Sequence, residues 1–442
     1  MLWTADTVMY RGVSMDAAYS GSTLIWRKTI TGDYLTVEVV SGGTIGLQFS
    51  GFTTQMSING GSFSQIGNRT LTVSAGDIIR FRGTDSVCSD GAGAAGSGTH
   101  TGINDGTAKF KVKGNIMSLF YGDDFEGKTS FKPSYSNDRQ LYRFFDGCSG
   151  LIDASELKLP VVNLTRQCYW ALFYKCTSLV TPPTLPSHSL AEGCYEKMFS
   201  FCTSLSTAPQ LPATTLAESC YHTMFVRCTS LTSLPALPAT TMVSHCYYAM
   251  FQDCSALTTI PSNYLPAMTL AMSCYEAMFE GCTGITSAPT LPATSMADAC
   301  YADMFRFTGL VQAPALPSTN LAERCYLGMF MTCRNLTNPP ELPATTLEKD
   351  CYHYMFSGCT ALVTASTLPA PTLVRCCYDT MFTDCSSLKY VTCLATDISA
   401  PIATDKWLRG VSSSGRFTKA SSMSDWTRGE DGIPTGWTIR NA

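Results

Sequence analysis

Twenty of the 21 cysteines lie between Cys148 and Cys393, most of them in pairs separated by seven residues. The stretch LAESCYHTMFVRCTSL (216–231), with Cys220 and Cys228, shows the arrangement. Four chemistries are open to such residues: disulfide bonding, metal ligation, thiol nucleophilicity and plain packing. A second stretch, GDDFEGKT (122–129), satisfies the G-x-x-x-x-G-K-[ST] pattern of a phosphate-binding loop. Asp123, Asp124 and Glu126 inside it would repel phosphates, and no strand–loop–helix context follows, so it reads as a connecting turn. An enzyme that hydrolyses glycans would need two convergent carboxylates, and the acidic residues are dispersed.

The cysteines belong to a repeat. Tyr142, Tyr169, Tyr195, Tyr221, Tyr247, Tyr275, Tyr301, Tyr326, Tyr352 and Tyr378 mark ten units whose intervals are 25 to 28 residues. Such a period is the signature of a leucine-rich-repeat solenoid. Each unit reads L-x-x-x-C-Y-x-x-M-F-x-x-C-T-x-L and then P-x-L-P-A-T-T. Leu216, Cys220, Met224 and Cys228 recur every fourth residue, with Tyr221 and Phe225 on the adjoining row, which predicts a helix with a broad buried face. Thr215 with Glu218, Ser189 with Glu192 and Asn320 with Glu323 read as capping boxes at its start. The following TSLTSLPALP predicts a short strand, stacked in parallel and stopped by Pro235 and Pro238; ten at about 4.8 Å make a sheet roughly 50 Å long.

On a helix, Cys220 and Cys228 stand about 12 Å apart along the axis, whereas a disulfide needs Cα atoms within about 7 Å. Substitution agrees: Leu141 replaces the first cysteine of unit one and Thr308 the second of unit seven, while Cys148 and Cys300 remain. Bonds between neighbouring units stay geometrically possible. C-x7-C lacks the close pairs of a zinc site, and no unit is chemically special enough to hold a catalytic thiol. The reading favoured is a buried structural ladder, with Cys194, Cys202, Cys220, Cys228, Cys246, Cys254, Cys351 and Cys359 as its clearest members. No catalytic, cofactor-binding or metal-binding residue is assigned.

Charged residues are 14% of the chain and the net charge is −4. No basic cluster offers a nucleic-acid footprint. No apolar run reaches the length of a membrane span, and no signal peptide is read at the start. Residues 1–30 predict paired strands around a Gly-Ser turn, and 31–130 an antiparallel β-sandwich-like domain. A Gly-rich loop between its strands carries Asp90 and Asp105 at a spacing that fits no calcium loop. The solenoid occupies 131–395. A C-terminal cap at 396–442 brings Trp407, Trp426 and Trp437, read as cap packing in preference to a carbohydrate platform.

The motif MFxxCTxL, followed by a proline-rich turn, resembles the BspA-like (Treponema pallidum-type) leucine-rich repeat over residues 139–395. The form with CYxxMFxxCTSL and LPATTL is similar to the variety in gut Bacteroidales and their phages, although the unit is longer and has an extra cysteine. The stretch VMYRGVSMDAAYSGSTLIWRK (8–28) resembles the starts of phage tail proteins. These resemblances imply a non-enzymatic α/β solenoid protein of a virion tail, assembled in the host cytoplasm and recognising a bacterial surface receptor, protein or glycan. They imply contacts to other tail proteins through the N-terminal region, and a homo-oligomer. The alternative they leave is a bacterial cell-surface adhesin. Positions that vary over the constant scaffold, His222, Tyr248, His353 and Tyr354, are the candidate receptor contacts.

Overall fold

The computed structural model describes residues 2–4, 7–10, 13–15, 17–20, 23–27, 33–49, 52–85, 101–132, 138–424 and 426–442. The N-terminal region forms antiparallel strands β1 (Leu2–Thr4), β2 (Thr7–Tyr10) and β3 (Val13–Met15). The hairpin β4 (Ala17–Ser20) and β5 (Thr23–Arg27) follows, in line with the predicted strand pair.

The alternating pattern after residue 33 becomes two sheets over one core. The strands are β6 (Leu35–Ser41), β7 (Gly43–Gln48), β8 (Gln55–Ile58), β9 (Ser64–Gln65), β10 (Arg69–Val73), β11 (Ile78–Arg82), β12 (Gly102–Asn104) and β13 (Lys109–Asn115). After the short helix α1 (Ser118–Tyr121) comes β14 (Leu151–Lys158). One sheet has the order β14-β13-β6-β11-β8-β9 and the other β10-β7-β12. Inward-facing Leu35, Val37, Ile45, Leu47, Ile79 and Phe81 are buried, as period-two patterning requires. Strand β14 belongs to the first repeat unit yet pairs in parallel with β13, so this sheet crosses the expected boundary at residue 130. At Gly102 a Cβ would lie 2.1 Å from the carbonyl oxygen of Phe144 in that unit; the close approach admits only glycine.

The repeat itself is built from turns, which corrects the helical expectation. Among the described residues the sole α-helix is α1. In coil four the amides of Cys220, His222, Met224, Val226 and Cys228 donate three residues back, to Ala217, Ser219, Tyr221, Thr223 and Phe225. The intervening amides of Ser219, Tyr221, Thr223, Phe225 and Arg227 donate to Ser244, Cys246, Tyr248, Met250 and Gln252 of the next coil at 2.8–3.2 Å. Every second turn needs positive φ at its third position, as in a type II turn. Ser219 (φ 54°), Thr223 (53°) and Arg227 (58°) supply it, and the same three places are positive in each coil. The turn period is therefore four residues. An α-helix turns about 100° per residue, so i and i+12 would diverge by about 120°. Leu216 and Cys228 are nevertheless buried together. The capping boxes fall with the helix: the amide of Leu190 donates to Thr215 O, an inter-coil bond.

Side chains stack in columns along the coils. Tyr169 to Tyr378 form one column with neighbouring rings 5.7–6.1 Å apart. Phe145 to Phe382 form a second, at 5.3–6.1 Å. Unit one is shifted by a residue from the expected alignment. The amide of Leu141 donates to Cys168 O, the bond made elsewhere by the tyrosine. Leu141 thus fills the tyrosine place, buried Gln140 the first-cysteine place, and Tyr142 the half-exposed place beyond.

The predicted continuous sheet reduces to isolated parallel bridges such as Ser287↔Gln312 and Gln312↔Asn338. Prolines such as Pro289 and Pro314 arrive within two residues and remove the donors a ladder needs. Pairing is longer at the C-terminal end, where β15 (Tyr390–Cys393), β16 (Gly415–Lys419) and β17 (Trp437–Asn441) form a parallel sheet.

The period does not break after Cys393. Amides of Tyr378, Thr380, Phe382 and Asp384 donate to Ala403, Asp405, Trp407 and Arg409, and φ is positive at Ile402, Lys406 and Gly410. An eleventh coil thus hides in ISAPIATDKWLRG. Trp407 ends the tyrosine column, 6.3 Å from Tyr378, and Trp426 stacks on it at 5.6 Å. Trp407, Trp426 and Trp437 are all buried, which fits cap packing and removes them as an exposed platform. Among the described residues no helix is long and apolar enough to cross a membrane.

Ala299 separates turn from helix experimentally, since its φ is +53°. In a helix Ala299→Gly would cost about 1 kcal/mol. Here relief of the left-handed strain offsets the entropy of glycine, and the variant is expected within about 0.5 kcal/mol of the parent or above it. Urea unfolding of the two proteins measures the difference.

Candidate functional site

All twenty described cysteines are free and buried; Cys88 lies outside the described residues. Burial pushes their thiols up, Cys246 and Cys333 to about 11, so they stay protonated and unreactive at neutral pH. The second cysteine of a coil is more than apolar filling. Cys176, Cys202, Cys228, Cys254, Cys282, Cys333, Cys359 and Cys385 each donate S–H to the phenylalanine carbonyl of the coil before, at 3.0–3.2 Å. Thr308, the natural exception, keeps a donor, which it turns on its own Phe305 O at 2.7 Å.

The 122–129 stretch is equally structural. Asp123 takes the Arg82 guanidinium and the Tyr34 hydroxyl, each at 2.8 Å, and turns rather than a helix follow it. Asp105 accepts from Ser149 Oγ at 2.6 Å; Asp90 lies outside the described residues. Among the described residues no three His, Cys, Asp or Glu side chains converge as a metal site.

The candidate contacts lie on the turn face. The residue after the tyrosine place is half-exposed in most coils, although Ala302 is buried, giving a row that includes Tyr142, Trp170, Glu196, His222, Tyr248, Glu276, His353 and Asp379. The backbone fixes this row and leaves its chemistry free. His222 and Tyr248 are brought together, their rings 4.6 Å apart and 7° from parallel. His222 Nδ1 lies 3.2 Å from Thr223 Oγ1 and 3.8 Å from Glu196 Oε1. Burial lowers the His222 pKa and the Glu196 charge only partly restores it, so the ring is neutral at pH 7. His353 stacks on Tyr354 at 4.1 Å and sits 3.4 Å from Asp379; burial lowers its pKa too. The second pair stands four coils from the first, about 20 Å at one strand spacing per coil. The four residues are therefore two separate pairs.

Two features of this face escape sequence reasoning. Tyr142 stacks on Trp170 at 4.5 Å, with Arg139 beyond one ring and Lys197 beyond the other at 5.4 and 5.0 Å. The misaligned first unit conceals that pair. Farther along, Glu276, Glu280 and Asp303 are half-buried near Tyr248, and desolvation raises all three pKa values. Gln252 Nε2 donates to Glu280 at 2.8 Å, while Arg306 lies 3.6 Å from Asp303. Tabulating each repeat position down the chain would have exposed the acidic run.

Raised carboxyl pKa values favour folding below the unfolded value near 4.5, and that benefit is lost as pH rises through the folded value. Glu276→Gln removes a half-buried charge, so the variant is expected to be the more stable at pH 7. Its advantage should vanish as pH falls toward 4.5; thermal melts at both pH values test this. Thiol titration at pH 8 is expected to label none of the twenty described cysteines until denaturant is added, and labelling of Cys220 or Cys228 in the native state would contradict their burial.

No protein family, curated protein or solved structure matches this chain.

Proposed function

We propose that the chain is a non-enzymatic recognition protein whose coils form a variant of the BspA-like leucine-rich-repeat solenoid, carried on a phage virion as a tail fibre or receptor-binding component. The supporting observation is the separation of roles within each coil. Tyr, Phe and Cys places are buried and keep their residue type in nearly every coil, whereas the outward row changes from Trp170 to Glu196, His222, Tyr248 and Glu276. Such a scaffold varies contacts without altering its core, as stacked repeats with extended binding surfaces do.

The resemblance of residues 1–30 to tail-protein starts points to attachment through the N-terminal strands. Inert, unpaired thiols suit assembly in a reducing cytoplasm. Multivalent display in a homo-oligomer would convert modest affinity per chain into avidity. The second reading, a bacterial surface adhesin, draws on the repeat resemblance over 139–395, which is independent of the N-terminal strands.

Mass spectrometry of purified virions distinguishes the two. The virion reading expects the chain among structural proteins at stoichiometric levels; its presence only in a bacterial surface fraction would replace that reading with the adhesin. For recognition itself, labelled full chain is expected to be retained on host cells, and His222→Ala/Tyr248→Ala to weaken retention by about fivefold to thirtyfold, a loss of roughly 1–2 kcal/mol.

A further inference from the structure

The repeat is least regular between coils five and eight. The tyrosine interval rises to 28 residues between Tyr247 and Tyr275 and falls to 25 between Tyr301 and Tyr326. The extra residues lie in the proline-rich arc IPSNYLP (260–266). There Tyr264 turns inward and donates its hydroxyl to Pro235 O at 2.9 Å. Ser262 is thereby held against coil six, where its carbonyl accepts the amide and hydroxyl of Thr290 at 2.8 and 2.7 Å. Beside this wall opens a cleft of about 610 Å³, within the range of roughly 300–1,000 Å³ usual for small-ligand sites.

The cleft has a distinct chemistry. Ala288, Pro289, Ala313 and Pro314 give it an apolar floor, and none of its described lining residues is charged. Ser287, Gln312 and Asn338 occupy successive parallel bridges, so their side chains leave the same face about 4.8 Å apart. Gln312 and Asn338 are exposed, and each carboxamide can donate and accept at once.

We propose that this cleft binds a neutral oligosaccharide, a short run of uncharged sugar units of a surface glycan. Carboxamides on adjacent coils suit sugar hydroxyls, which also donate and accept, and one coil step is close to the length of one pyranose unit. The Ala and Pro floor suits the C–H face of the ring. A sugar bearing carboxylate, sulfate or phosphate would lose hydration here without gaining a counter-charge. The proposal rests on the recognition reading and adds to it a glycan class and a second site, on the proline-rich arc, away from the turn face.

The test overlays labelled full chain on an array of glucan, mannan, galactan and N-acetylglucosamine hexasaccharides, with a hexauronate as the charged probe. Binding to at least one neutral hexasaccharide and not to the uronate is expected. Gln312→Ala/Asn338→Ala, both exposed positions, and Ala315→Trp, which narrows the mouth, should each weaken it by about tenfold or more. Glu218→Gln, at an exposed position outside the cleft, should leave it within about twofold. Binding to the uronate alone, or unchanged binding by both cleft variants, overturns the proposal. So does an empty array while cells still retain the chain, a result that leaves recognition standing. Absence of retention on intact host cells would remove the recognition reading itself.

Discussion

Everything in the repeat depends on how alternate backbone amides are shared. One set closes four-residue turns within a coil, and the other set crosses to the next coil. Neither could be left unmade, because a buried amide without a partner costs about as much as the bond it lacks. The arrangement obliges every fourth residue to adopt positive φ, at a cost of about 1 kcal/mol for an L-residue. Glycine is used at only some of these places; Thr223, Tyr354 and Ile402 are held there by their neighbours. A single coil has no partner for half of its amides, so the structure is cooperative along its length.

The buried columns follow from that frame. With each coil hydrogen-bonded to the next in fixed register, a side chain meets its own equivalent above and below. Stacked tyrosines and phenylalanines satisfy this requirement, and a small cysteine fits beside them. Its S–H adds a weak bond to a carbonyl that already accepts an amide, the kind of secondary interaction that stabilises a recurring geometry without creating it. The ends are closed by continuity. Strand β14 extends the first sheet into the repeat, and Trp407 with Trp426 terminates the tyrosine column.

A frame so constrained concentrates variation where the backbone does not use the side chain. The turn face offers rows whose residues differ from coil to coil. The proline-rich arc offers something different, a local loss of regularity that opens space. The stacked His222–Tyr248 pair and the Ser287–Gln312–Asn338 series are both products of coil stacking, since their members are about 25 residues apart in sequence. No local motif announces either.

Residue type alone reveals the repeat, its unit length, the burial of tyrosine, phenylalanine and cysteine, and the strand pattern before it. Each is written in residue type at regular intervals. Even the intervals of 28 and 25 that flank the cleft are legible there. Tertiary structure decided the rest. A period of four over one unit is ambiguous between a helix and a ribbon of turns, and only the crossing amides of a second coil make the turns self-consistent. Inter-coil bonds also decided that Leu141 and not Tyr142 fills the first rung, and that a poorly matching segment near Trp407 is an eleventh coil. These are contacts at long sequence separation, and the chemistry of a single unit contains no record of its neighbour.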